Sequence, residues 1–577
     1  MNGTRRFLIS AFTGMLTICA CSQSSTNPSP AASTSAPRPV TPSVSVSASV
    51  LAQWAQGAQL FNNLGTHTRK ITTTSPEAQA YFNQGLRLIY AFNHDEAARA
   101  FAKAVQLDPA CASCYWGAGE ALGPNYNMPA MTERWKVLWE AVRAAKQNAA
   151  HATPVEQALI GALAKRYKGP EPVGADAMQP FNIAYANAMR DVARQFPQDD
   201  DVQVFFAEAL MTANPWKLWT VDGKPTLGTD EIVATLETVL ARNPQHPGAN
   251  HYYIHAIEAS SHPEKALASA ERLPGLIPGA GHIVHMPSHI FQRVGRYADA
   301  AAANRAAVLV DLAYMDRAKP PAWSYYGGMY LAHNYQFLAY AAAMQGRAAE
   351  SLQATRTMRA TLPDAVLHMG MGLDWYAAEV YFSMERFGRW NELLSEPAPD
   401  PTLIGLTAAY HYARTAAFAV TGKLDKAIAE KTKLDALAAT VPASAPAGLN
   451  TVKDMVAVAS LVASARIATA QGKADQAIAA LREAVVKEDA LAYDEPADWF
   501  VPVRHLLGAQ LLKSGKATDA EAVYREDLQR HPNNGRALYG LAQALKAQNK
   551  SEEAVAIDKQ ISQAWKNADV KLTTSAF

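Results

Sequence analysis

The chain has 577 residues, with 53 Lys and Arg against 52 Asp and Glu and a formal net charge of +1. That balance gives no reason to expect a nucleic-acid partner, and the length exceeds one ordinary compact core. Beyond the N-terminus, no apolar segment is long enough to cross a bilayer.

At the N-terminus, Arg5 and Arg6 precede the apolar run FLISAFTGMLTICA (7–20), too short for a permanent membrane helix. The run closes on Ile18-Cys19-Ala20-Cys21, which resembles a bacterial lipobox. Residues 1–20 then read as a lipoprotein signal peptide and Cys21 as the acylated residue. Ser22 stands where an inner-membrane retention signal would place an aspartate. The expectation is an outer-membrane lipoprotein of the cell envelope, facing the periplasm or the exterior and touching the membrane by its lipid anchor only. An ordinary secretory signal cleaved nearby is the alternative. Residues 21–52 are rich in Ser, Pro and Thr, bear no helical apolar stripe, and read as a disordered tether.

Next comes DPACASCYWG, with Cys111 and Cys114 at a helix start. In an oxidising compartment this pair could be a disulfide, a redox couple or a metal clip. No thioredoxin-like βαβ pattern surrounds it, which favours a local disulfide.

The body repeats with a 34-residue beat. Counting Ala78 as position 1 puts Gly85 at 8, Ala97 at 20, Phe101 at 24, Ala104 at 27 and Pro109 at 32. Counting Val501 as position 1 puts Gly508, Ala520, Tyr524 and Pro532 at 8, 20, 24 and 32, and a unit from Gly535 puts Ala554 at 20. Looser units start near Asp200, Pro247, Gly281, Ala332, Ala408 and Val458, with an insertion at 214–230. Period-two alternation is nearly absent. These positions resemble the tetratricopeptide repeat, which implies an all-α solenoid of helix hairpins. Three stretches of repeats are expected: 53–230, a central 231–365, and 366–577. FNHDEAARAFAKAVQLDPACASCYWG, EALMTANPWKLW, HYYIHAIEAS, GHIVHMPSHIFQRVGRY and YDEPADWFVPVRHLLGAQLL together resemble an uncharacterised family of bacterial tetratricopeptide-repeat lipoproteins. That resemblance carries no reaction with it, so function has to come from the site.

Two histidine pairs fall in phase with the beat. His251 and His255 occupy positions 5 and 9 of the unit from Pro247; His285 and His289 occupy positions 5 and 9 of the unit from Gly281. The resemblance implies that positions 2, 5, 9 and 12 of each first helix line a concave groove, so these rings should form one two-by-two patch. Glu258 and His282 fall at groove positions 12 and 2, and His333, Gln336 and Tyr340 at 2, 5 and 9 of the unit from Ala332. The ninth positions would read Glu208, His255, His289, Tyr340. Imidazoles at this spacing are expected to hold a divalent transition metal (zinc, copper, iron or nickel), with Glu208, Glu258, His282, His333, Gln336 and Tyr340 as further ligands or orienting groups. Three readings follow. One is a scaffold that binds a peptide, protein or small molecule in its groove beside a metal. Another is a metal-dependent hydrolase or oxidoreductase with Glu208 or Glu258 as base and Tyr340 as proton donor. The last is a metal-free scaffold whose histidines contact the ligand or form a buried polar ladder. Trp216 and Trp219, on the 214–230 insertion, either close over the groove or anchor the loop. In YDEPADWFVPVRH, Glu495 and Arg504 are expected to brace a helix junction.

Overall fold

The computed structural model describes residues 47–320, 324–369 and 372–577. The signal peptide, Cys21 and most of the tether fall outside the described residues. The tether expectation is corrected at its C-terminal end: Ser47–Trp54 is helical, and Leu51 and Ala55 enter the core. From Val46 to Phe577 the chain forms one unit.

Paired helices joined by short turns account for this unit. They begin with Pro76–Tyr90 and His94–Leu107 and end with Gly535–Ala547 and Ser551–Ala564. Among the described residues the only strands are Pro446–Ala447 and Asn450–Thr451, a two-residue antiparallel pair. No described helix is long and apolar enough to cross a membrane.

The small-large-small rule that marks the repeat is visible atom by atom. A Cβ on Gly85 would stand 2.6 Å from the Phe101 ring, and one on Gly117, in the next hairpin, 2.4 Å from the same ring. At the C-terminal end Gly508 and Gly540 clamp Tyr524 in the same way, at 2.3 and 2.2 Å. One aromatic ring therefore fills the space between consecutive hairpins, and glycines on both sides admit it.

The hairpins are not uniform, and this matters for the site. The unit from Pro247 has a full first helix, Pro247–Ile257, but its return is broken into Pro263–Ala266, Leu267–Arg272 and Leu273–Gly275. The next first helix is interrupted at Met286, giving Gly281–His285 and Pro287–Arg293.

Glu156 ties the N-terminal hairpins together. Its Oε1 accepts from Ser113 Oγ (2.6 Å) and Thr72 N–H (2.8 Å). Its Oε2 accepts from Thr72 Oγ1 (2.6 Å) and from Thr153 Oγ1 (2.6 Å) and N–H (2.8 Å), completing a capping box on Pro154–Arg166. Burial alone would raise its pKa; the donors outweigh burial and bring it from 4.5 down to about 2. A carboxyl that holds its proton less tightly in the folded chain stabilises the fold above its unfolded value, and that contribution disappears as pH falls through the folded one. Glu156→Gln is therefore expected to cost about 3 kcal/mol near neutral pH. In urea titrations the wild-type and variant midpoints should converge as pH drops from 5 toward 2.5. A gap that stays constant over that range would contradict this account.

Candidate metal centre

Helix Pro247–Ile257 is started by His246, whose Nδ1 accepts the Ala249 N–H at 3.1 Å, with Pro247 in its first turn. Gly248 lets this helix press on the first hairpin, since a Cβ there would lie 2.4 Å from the Tyr90 ring. His251 and His255 follow one turn apart on the buried face. His282, His285 and His289 share one face of the interrupted helix at 281–293, and His333 comes from Leu331–Met344. The exposures are 0% for His251 and His285 and 1% for His255, His282 and His289; His333 is half-buried.

Hydrogen bonding fixes the tautomers. His251 Nδ1 donates to the Tyr90 carbonyl at 2.6 Å. His255 Nδ1 donates to Glu258 Oε1 at 3.0 Å. His285 Nδ1 faces Asn304 Oδ1 at 2.7 Å; that oxygen is the acceptor end because Asn304 Nδ2 donates to Ala300 O. His289 Nδ1 lies 2.8 Å from Glu258 Oε2 and 2.9 Å from Glu495 Oε2. His333 Nδ1 donates to Gln336 Oε1 at 3.1 Å, since Gln336 Nε2 is spent on Glu379. Five of the six rings thus carry their proton on Nδ1, which leaves Nε2 as the nitrogen with a free lone pair. Only His282 has a buried Nδ1 without a partner.

The inward nitrogens converge. The ligand atoms of His251, His255 and His282 lie within 4.8 Å of one another, and so do those of His285, His289 and His333. His251 Nε2 meets His282 Nε2 at 3.1 Å, and His285 Nε2 meets His289 Nε2 at 2.9 Å. With both Nδ1 atoms protonated, the second contact sets lone pair against lone pair unless a cation stands between them: a proton or a metal ion. The charges behind the rings point the same way. Burial would lower the His289 pKa, but the Glu258 and Glu495 carboxylates raise it well above its usual value, and His289 and His255 hold Glu258 low despite its burial. Burial, reinforced by neighbouring imidazoles, lowers His251, His282 and His285, so these rings stay neutral. Burial likewise brings His333 down to about 3.

Aromatic rings wall the cluster. Tyr330 lies 4.4 Å from His282 between ring centres, and Phe337 lies 4.7 and 4.6 Å from His285 and His289. Trp216 stacks on Tyr126, which lies 5.3 Å from His255, while Trp219 Nε1 donates to the Ala256 carbonyl at 2.7 Å. The 214–230 insertion is thus both anchored and folded over the histidines.

These positions correct the expectation of a single four-histidine patch lining an open groove. The histidines form two groups of three, His282 and His333 are full members, and all the rings but the half-buried His333 lie in the interior. Glu208 and Tyr340 are not beside them. Glu208 accepts from Thr212 Oγ1 and adjoins Arg166 in a separate polar cluster, and Tyr340 packs edge-on against Phe500. A ninth-position column assumes equal hairpins, and the hairpins here are unequal, with the 214–230 insertion after Glu208 and a broken return at 263–275. Glu258 does join the site, but through its contacts with Nδ1 atoms. Arg504 braces a junction, bonded to Asp489 and Glu526, whereas Glu495 reaches His289. Cys111 and Cys114 are joined by a disulfide. A third group, His67, Asp201 and His246, is a structural knot. His246 uses Nδ1 as a helix cap and donates from Nε2 to Asp201, which also holds Arg69.

Tetratricopeptide repeats are detected directly, at residues 78–111 and 511–571. No curated protein matches the chain. Among solved structures, the human IFIT1 dimer with m7Gppp-AAAA is similar at 12% identity over 85% of this chain and 96% of that one, with a TM-score of 0.34. Yeast Tom70 is similar at 11% identity over 85% and 93%, with a TM-score of 0.26. The fold is all-α, a solenoid of helix hairpins.

Phe92 is a part of the site that no repeat position signals. The turn between paired helices takes glycine in the left-handed region at Gly422 and Gly472 (φ +75° each); in the first hairpin the same turn holds Phe92 at φ 52°. Its ring is buried and lies 4.6 Å from His251 and 5.7 Å from both His255 and His282. A bulky side chain in that conformation costs on the order of 1–3 kcal/mol, which its packing over the imidazoles must offset. Phe92→Gly removes the strain and the ring together. Because losing a buried Phe costs about 3–5 kcal/mol, the net expectation is a loss of about 2 kcal/mol in denaturant titration. Equal or higher stability of the variant would show that the ring contributes nothing there.

Proposed function

We propose that this chain is a tetratricopeptide-repeat scaffold built around a two-ion transition-metal centre, with one ion held by His251, His255 and His282 and the other by His285, His289 and His333. The observation that carries this reading is the fixed tautomer of five of the six rings, each with Nδ1–H anchored and the Nε2 lone pair left to ligate. Histidine metal sites are arranged this way, with an acceptor behind the ring that sets its orientation and raises the basicity of the ligating nitrogen. Three imidazoles per ion leave a coordination position open.

The choice of metal follows from charge. Imidazole suits zinc, copper, iron and nickel alike. All six rings would ligate as neutral imidazoles, and only Glu258 and Glu495 stand behind them. Two divalent ions would leave an excess of buried positive charge, whereas two monovalent ions match the two carboxylates. That balance favours copper entering as the cuprous ion. Bound copper with an open position would supply redox chemistry, so an oxidoreductase is preferred over a hydrolase. The carboxylates at the site are occupied in orienting His255 and His289, which leaves no free base beside the open positions. The Cys111–Cys114 disulfide supports an oxidising compartment and with it the proposed export; lipid anchoring through Cys21 is proposed from the lipobox alone.

Metal analysis of the full chain after anaerobic incubation with cuprous copper, and separately with zinc, iron and nickel, tests the proposal. About two equivalents of copper per chain are expected. His251→Ala/His255→Ala and His285→Ala/His333→Ala should each retain about one, with unchanged helical circular dichroism. Empty protein under every condition, or metal content indifferent to both double substitutions, would refute the centre. Two equivalents of zinc with no copper would keep the centre and refute the charge argument.

A further inference from the structure

A cleft of about 630 Å³ opens on the far side of Glu495 from the histidines. None of the six histidines lines it, and it shares with the centre only Glu495, so it is not the open coordination position of either ion. Its volume suits a small ligand or a residue of a peptide. Tyr340, Tyr493 and Trp499 supply apolar wall, and Asp494, Glu495 and Asp498 supply carboxyls.

Every cation along this cleft is already committed. Arg293 donates to the Glu258 and Ser260 carbonyls at 2.8 and 3.1 Å and lies over the Tyr493 ring. Arg504 is held by Asp489 and Glu526, Arg530 reaches Asp489 at 3.3 Å, and His531 reaches Asp527 at 3.2 Å. The acids are not so served. Asp494 accepts from Tyr376 Oη and from the Glu495 N–H, both at 2.8 Å, and Asp498 from Asn450 Nδ2 at 2.7 Å, and neither forms an ion pair among the described residues. Asp498 is 4% exposed, and its Oδ1 has no donor. Trp499, 3% exposed, has an Nε1–H without an acceptor. Burial and the neighbouring Asp494 push Asp498 well above the usual carboxylate range, as expected of a carboxyl short of positive charge. Leaving such groups unmatched in the interior is costly, and a ligand that supplies the missing partners recovers that cost on binding.

We propose that this cleft binds a primary ammonium group on a chain that also carries a hydrogen-bond acceptor, the chemistry of a lysine residue in a peptide: the ammonium meets Asp498 and Asp494, the aliphatic stem lies along Tyr340 and Tyr493, and a carbonyl takes the Trp499 Nε1–H. The site is complete without any metal.

Calorimetry with the full chain, once metal-stripped and once copper-loaded, tests this with three probes of one backbone: N-acetyl-lysine methylamide, its ε-acetylated form, and N-acetyl-glutamate methylamide. The lysine probe is expected to bind at least tenfold tighter than either of the others, in both preparations. Asp498→Asn, which keeps the oxygen facing Asn450, should weaken it about tenfold with circular dichroism unchanged; if that variant misfolds, Asp494→Asn replaces it and should weaken binding at least threefold. Equal binding of the acetylated or glutamate probe, or no binding of the lysine probe stronger than about 1 mM, would overturn the proposal. Binding to stripped protein that takes up no copper would uphold the cleft while rejecting the metal centre, so the two readings fail separately.

Discussion

The contact on which the site depends is the clasp of His289 Nδ1 between Glu258 and Glu495. It joins residues 206 positions apart and draws the C-terminal hairpins onto the central ones. It also decides the chemistry of the cluster. With Nδ1–H committed to carboxylates, the only free face of His289 is Nε2, which points at His285. Glu258 repeats the arrangement with His255, so one carboxylate orients a ring in each group of three. Without these carboxylates the six imidazoles would be a set of neutral rings able to trade protons and rotate. With them, the direction of at least two lone pairs is set by charge.

Burying this many polar rings has a cost that the fold addresses one ring at a time. A buried donor or acceptor left without a partner costs about 1–3 kcal/mol. The Tyr90 carbonyl, Asn304 and Gln336 each satisfy one outer nitrogen, and each comes from a different part of the chain. The inner nitrogens are left to one another. That asymmetry separates this cluster from the knot at Asp201, where one carboxylate, itself held by Arg69, meets the Nε2 of both imidazoles. A polar ladder built only for stability would be expected to pair its inner atoms too, as His246 does with Asp201.

How much of this was legible in the sequence follows from the same geometry. The repeat could be read because its packing rule is local: Gly85, Phe101, Gly508 and Tyr524 sit at fixed offsets, and the structure shows the ring held between two glycines. The phase of His251 with His285 and of His255 with His289 could be read for the same reason. Membership of the two groups could not. It depends on how unequal hairpins pack in three dimensions: the 214–230 insertion follows Glu208, the return at 263–275 is broken and the next first helix is interrupted at Met286. Glu495 and Phe92 were hidden for another reason. Glu495 arrives through superhelical closure, and Phe92 occupies a turn position that the repeat pattern leaves to glycine. A bulky aromatic at that turn was the one local sign available, and it reads as a site only once the neighbouring histidines are known.

Glu495 is also where the two proposed sites meet. One oxygen faces His289 and the side chain lines the cleft, so an ammonium arriving there would compete with the imidazole for the same negative charge. Drawing Glu495 toward a ligand would leave His289 with Glu258 alone and reduce the basicity of its Nε2. The coupling runs both ways: an ion that withdraws electron density through Nε2 makes Nδ1–H a stronger donor and holds Glu495 more firmly against the ring. Occupation of the cleft and of the centre should therefore oppose each other modestly, through one carboxylate and without any change in the backbone. Such an arrangement would let a helical scaffold sense a peptide on one side and adjust a metal on the other, and it requires of the intervening hairpins only that they stay rigid.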